Sequence, residues 1–202
     1  MAVLSLVVTA RLAPQQPEIR MLAMWVALIA VMVVGFPRGG FDGLWAWRSV
    51  DVLWGVAAGL ALRLLQGISA GEQAFPFSAT LAGSDPEGWW LQQALSSTLG
   101  GPFVEEFFFR GLIVVLVFRL GRRAGGAIFA AVAGVLVSAV AFALWHAVTA
   151  PLSLSDGVQL GVVGATCAVL LLLTGRIWGA VIAHVVYNVS YLVLVVIGTT
   201  YR

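Results

Sequence analysis

Apolar residues run along this chain in blocks close to membrane length, separated by short polar stretches. A helix needs ~20 mainly apolar residues to cross a bilayer. The clearest blocks are 19–36, 50–66, 125–148, 157–174 and 177–198. A sixth is expected within 89–119, where apolar and polar positions mix. Gly100, Gly101 and Pro102 fall in the middle of that stretch. Proline removes a helix hydrogen bond and glycine weakens the helix, so a break or kink is expected there. Residues 89–99 then form a partial or interfacial helix, with Trp89 and Trp90 suited to the membrane interface, and 102–119 form the main span.

The connections are short except for 67–88, which holds Glu72, Pro76, Asp85, Pro86 and Glu87. No repeat and no Pro/Ser linker divides the chain, so one membrane domain is expected over 19–198, after an N-terminal segment 1–18. Residues 1–12 are apolar but too short to span, and they lack the basic start of a cleaved signal peptide. The fold expected is all-α: a polytopic transmembrane helix bundle of about six spans with a polar cavity between helices. Arg119, Arg122 and Arg123 form the densest basic cluster, and the positive-inside rule puts their loop in the cytoplasm. Arg176, two spans later, falls on the same side. Arg11 and Arg20 run against this orientation when six spans are counted.

Composition narrows the class. Of 202 residues, 61% are hydrophobic and 10% charged, with a mean hydropathy of +1.01. Soluble domains carry roughly 45–50% apolar and about 25% charged residues. Soluble enzymes, nucleic-acid binders and disordered chains are thereby excluded. The 11 basic residues, all Arg, against 9 acidic ones give a net charge of +2, too even to imply a polyanionic partner. Cys167 is the single cysteine, which excludes an intramolecular disulfide and a multi-cysteine zinc site.

Against this background the polar residues inside apolar helices stand out, because a charge in hydrocarbon costs roughly 2.5–3.5 kcal/mol and marks a functional site by default. The first group is Glu105, Glu106 and Arg110. Glu106 and Arg110 are four apart and share a helix face, so they can pair. Glu105 is rotated by about 100° from Glu106 and is left to act as a base. The second is Phe142 and His146, the third His184 and Asn188, each again four apart on one face. Read singly, each group has a bland alternative: acids paired with arginines for packing, a satisfied core histidine, an interhelical polar clasp. Together they supply a base, a proton shuttle and hydrogen-bond donors, which are what hydrolysis of an amide by water requires. There is no His-Glu-x-x-His zinc motif. Asp156, at a helix start, reads as a cap. Gly55/Gly59 and Gly157/Gly161 read as close helix packing.

The ordered set Glu105-Glu106-x-x-x-Arg110, Phe142-x-x-x-His146 and His184-x-x-x-Asn188 resembles the three motifs of the CPBP family. These are the CAAX-processing and bacteriocin-processing intramembrane proteases, also called Abi proteins, and include type II prenyl-protein endopeptidases. The resemblance covers roughly 89–198. It implies an intramembrane endopeptidase in which Glu105 and His146 activate water and His184 and Asn188 stabilise the oxyanion, with Glu106, Arg110 and Phe142 in support. It implies a multi-pass protein of the cell membrane whose partners are the lipid bilayer and a peptide or protein substrate entering from the membrane, with no nucleic acid. It also implies metal-free, glutamate-dependent catalysis with no cofactor, although two Glu and two His would satisfy a zinc ion. Two other classes remain open: a catalytically inactive scaffold or immunity-type protein, and a proton-coupled transporter. Under the protease reading, Glu105, His146, His184 and Asn188 should line one cavity with Glu106 turned towards Arg110. Straight helices, however, place His146 near one membrane face and His184 only about 10 Å from the other.

Overall fold

The structure is a computed structural model and describes residues 17–39, 43–70, 76, 89–149 and 151–201. The expected segment 1–18 and most of the loop 67–88 therefore lie outside the described residues. Every regular element described is helical: α1 (Pro17–Gly39), α2 (Val50–Ala70), α3 (Trp89–Gly100), α4 (Gly101–Glu106), α5 (Phe107–Val114), α6 (Val115–Thr149), α7 (Leu154–Thr174) and α8 (Trp178–Thr200). The all-α class follows.

The number of spans differs from the six expected. Among the described residues, four helical runs are long and apolar enough to cross a membrane: Val50–Ala70, Ala94–Val148, Leu154–Thr174 and Trp178–Thr200. The second, of 55 residues, reverses at Gly126 and so provides two passes, making five. Leu22–Phe36 is a further apolar stretch within the 23-residue helix α1. The reversal needs glycine, since Gly126 adopts φ 78° and ψ −175°, a region closed to residues with a Cβ. On either side of it the chain packs against itself: a Cβ on Gly121 would lie 3.0 Å from the Ala130 Cα. Further along the same hairpin, Ser138 Oγ donates to the Phe109 carbonyl at 3.2 Å.

Of the break or kink expected at Gly100–Pro102, a break is absent: the helical run continues through it, with a change of winding. Helix α3 is wound as a π-helix and passes into the α-helical α4 at Gly101, and α5 returns to π winding. Pro102 stands in the first turn of α4. There its missing N–H costs little, because the hydrogen-bond register is changing at that point. The wide turns also bring glycines against bulky neighbours. A Cβ on Gly100 would meet the Trp25 ring of α1 at 2.6 Å.

Helices α2 and α8 approach closely along Gly55 and Gly59, as the spacing predicted. A Cβ at Gly55 would lie 2.6 Å from Ile182, and one at Gly59 2.6 Å from the Ala183 carbonyl oxygen. Gly157 and Gly161 do not act this way, since a Cβ on either would meet nothing within 4 Å. The same face of α7 meets a neighbour only further along, at Gly164, where a Cβ would lie 2.9 Å from the Ala139 Cα. Helix α7 starts with a reciprocal capping box: Ser153 is the N-cap, its Oγ accepts from the Asp156 N–H, and Asp156 accepts from the Ser153 N–H. Asp156 thus serves the cap as partner of Ser153.

At the opposite end, Arg176 in the α7–α8 turn grips Asp51 in the first turn of α2. Its Nε lies 2.9 Å and its Nη2 2.6 Å from the carboxylate oxygens. These hydrogen bonds hold the Arg176 pKa above its ordinary value. Because α6 and α7 are antiparallel, this turn lies at the same end of the bundle as the Gly126 reversal and its flanking arginines.

Candidate active site

Helix α4 carries both acids, α6 carries His146, and α8 carries His184 and Asn188. Adjacent positions on a helix point about 100° apart, and here they enter different surroundings. Glu106 is fully buried. Its Oε1 lies 3.0 Å from Arg110 Nη1 and accepts a hydrogen bond from His184 Nδ1 at 2.9 Å. Glu105 keeps 12% of its side chain exposed. Its Oε2 lies 3.8 Å from His146 Nε2 and 4.0 Å from His184 Nε2.

These distances are too long for direct hydrogen bonds. They leave room for one oxygen atom at about 2.8 Å from the carboxylate and an imidazole. The ring orientations are fixed from behind. His146 Nδ1 donates to the Phe142 carbonyl at 2.9 Å, one helical turn back. A carbonyl can only accept, so in the neutral ring the proton sits on Nδ1, and Nε2 presents its lone pair towards Glu105. His184 is oriented in the same sense by the Glu106 carboxylate.

Phe142 is fully buried and forms the partition of the site. Its ring centroid lies 4.5 Å from His146 and 5.5 Å from His184. The Arg110 guanidinium sits over the same ring at 4.5 Å, an arrangement that favours a desolvated cation. The apolar shell around this group includes Phe109, Val163, Cys167, Ala180 and Ala183.

The two histidines, expected at different depths, meet at one carboxylate, and α7 between them is a full helix of 21 residues. His146 folds back one turn onto Phe142, and the Glu105 carboxylate lies within reach of both rings. Asn188 is placed differently from the other three. Its Nδ2 donates to the Ser97 carbonyl at 2.8 Å, tying α8 to α3. That bond uses one amide hydrogen and leaves the second for another acceptor.

Sequence reasoning paired Glu106 with Arg110 and missed its bond to His184. Helix phase reports neighbours on one helix and carries no information about the facing helix. It also passed over Arg63 and Asp51, although each is a charge within an apolar helix. Among the described residues no group of three or more His, Cys, Asp or Glu is arranged to hold a metal ion.

Residues 87–190, just over half of the chain, match the family described as type II CAAX prenyl endopeptidase Rce1-like. The matched stretch contains all seven residues discussed above. No curated protein and no solved structure matches the chain. With three polar groups converging inside an apolar helical bundle and the family match spanning them, the chain belongs to the Rce1-like CAAX prenyl endopeptidase family of membrane-embedded proteases.

Proposed function

We propose that the protein is an intramembrane endopeptidase that hydrolyses a peptide bond near or within the cell membrane, using water activated by Glu105 and His146. The observation that supports this best is the Glu105 Oε2 standing 3.8 Å and 4.0 Å from two imidazole nitrogens. A water oxygen between Glu105 and His146 would meet a carboxylate on one side and the Nε2 lone pair on the other. Either can take its proton as the oxygen attacks the scissile carbonyl carbon. The proton then passes to the departing amine as the tetrahedral intermediate collapses.

The oxyanion falls to Asn188 and His184 in this reading. Asn188 offers its second amide N–H. His184 donates through Nε2 only when that nitrogen is also protonated, and the resulting charge would face the Glu106 carboxylate. Arg110 neutralises Glu106 from the other side and keeps it from competing with Glu105 as a base. Donors held in place in an apolar setting stabilise developing charge strongly, because nothing must reorganise during the reaction. The substrate is a peptide or protein segment reaching the site from the bilayer, and no metal takes part.

The test is hydrolysis of a cleavable peptide by the purified chain in lipid vesicles. Glu105→Gln should abolish turnover while the protein keeps its melting temperature. A Glu105→Gln variant that cleaves at the native rate would overturn the assignment. Loss of folding, together with no cleavage by the native chain, would favour a scaffold.

A further inference from the structure

Arg63 lies on α2, outside the stretch that matches the family, and is 9% exposed within an apolar span. A cation placed there is costly unless its donors are met. Arg110 and Arg176 are each paired with a carboxylate, whereas among the described residues the partners of Arg63 are neutral. Its Nη2 donates to the Tyr187 carbonyl at 2.5 Å and its Nε to Ser190 Oγ at 3.2 Å. Its Nη1 donates to Gln66 Oε1. The guanidinium carbon stands 4.0 Å from the Tyr187 ring centroid and 5.1 Å from that of Tyr191. The Tyr187 hydroxyl donates to Gln66 at 2.7 Å, and Gln159 of α7 donates to the Leu62 carbonyl at 3.2 Å.

The peptide group that Arg63 grips has a specific place in the site. The Tyr187 carbonyl belongs to the amide whose nitrogen is that of Asn188. The turn that follows His184 is therefore held on one side by Arg63, and on the other by the bond from Asn188 to Ser97. A guanidinium suits this task, because its planar fork binds several acceptors at once and its charge strengthens each bond.

We infer that Arg63 is a positioning residue: its grip on the Tyr187–Asn188 peptide sets where the Asn188 amide points, and so acts on hydrolysis through Asn188. The inference rests on the reading of Asn188 as an oxyanion donor. In this reading Arg63 acts through Asn188 and not on the substrate directly. Its effect is that of removing play from a donor, and a displacement of about 1 Å at a reacting group can cost up to about 100-fold in rate.

The experiment is a double-mutant cycle on the full chain in vesicles, with Arg63→Met, which keeps the apolar stem, and Asn188→Ala. Cleavage is measured as kcat and KM per folded molecule. Arg63→Met should lower kcat about 10- to 100-fold with KM within about twofold. In the Asn188→Ala background the same substitution should change kcat by less than about twofold, because the group it acts through is gone. Should Arg63→Met fail to fold, Arg63→Lys retains the charge and a donor for Tyr187, and the same comparison is made with it. Equal losses in both backgrounds would overturn the inference and leave the proposed reaction standing. An Asn188→Ala variant with native kcat would overturn the oxyanion reading, and the role of Arg63 with it.

Discussion

Glu106 and His184 lie 78 residues apart in sequence on helices that meet, and the His184 Nδ1 donates to the Glu106 Oε1 at 2.9 Å. The same oxygen lies 3.0 Å from Arg110. One oxygen of the second acid thus meets an imidazole donor and a guanidinium charge, and the first acid faces the space between the imidazoles. The two neighbouring glutamates carry different duties because one residue of helix rotation sends one into the core and the other to a partly open face.

Glu106→Ala should therefore destabilise the protein far more than Glu105→Ala. Removing one partner of a buried ion pair leaves the other charge uncompensated, at roughly 3–5 kcal/mol. Thermal unfolding in detergent measures this. Equal melting temperatures for the two variants would contradict the division.

Asn188→Ala should lower turnover by about 10²–10³, the loss typical of one oxyanion donor, with a smaller effect on melting. Steady-state cleavage of a peptide in vesicles reports it. An unchanged kcat would remove Asn188 from the site.

Removal of metal should leave the rate unaltered. Protein dialysed against a strong chelator, and checked for zinc content, is assayed with and without added zinc. Activity that disappears on stripping and returns with stoichiometric zinc would reassign Glu105 as a ligand, with the histidines completing a three-ligand site.

Gly59→Val should disrupt the domain, since even a Cβ there would meet the Ala183 carbonyl oxygen at 2.6 Å. Gly161→Ala should be neutral or stabilising by up to about 1 kcal/mol, because helix propensity improves and no neighbour is met. Both glycine pairs have the same spacing, so comparing the two unfolding curves tests the packing directly.

The class of the fold, most helix positions and the members of the candidate site were legible in the sequence. Apolar run length and i,i+4 spacing are local quantities, and the relations of Glu106 to Arg110 and of Phe142 to His146 are local as well. What was not legible depends on facing surfaces. Gly157/Gly161 has the same pattern as Gly55/Gly59, and only the partner helix distinguishes them. Pro102 looked like a breaker because the change from π to α winding, which accommodates it, has no signature in single residues. Arg63 was visible as a charge in an apolar run, but two of its acceptors, the Tyr187 carbonyl and Ser190 Oγ, lie more than 120 residues away in α8.

The contact between Asp51 and Arg176 bears on how the protein is made. Asp51 is fully buried, and its cationic partner follows it by 125 residues. Helix α2 must therefore enter the bilayer with an acid at its leading end and wait, while three further passes are synthesised, for the turn that neutralises it. Its glycine face meets a partner only when α8 arrives. Assembly is thus gated by the α7–α8 hairpin, and a nascent chain halted before it would present both an unpaired carboxylate and a bare packing face to the membrane quality-control machinery.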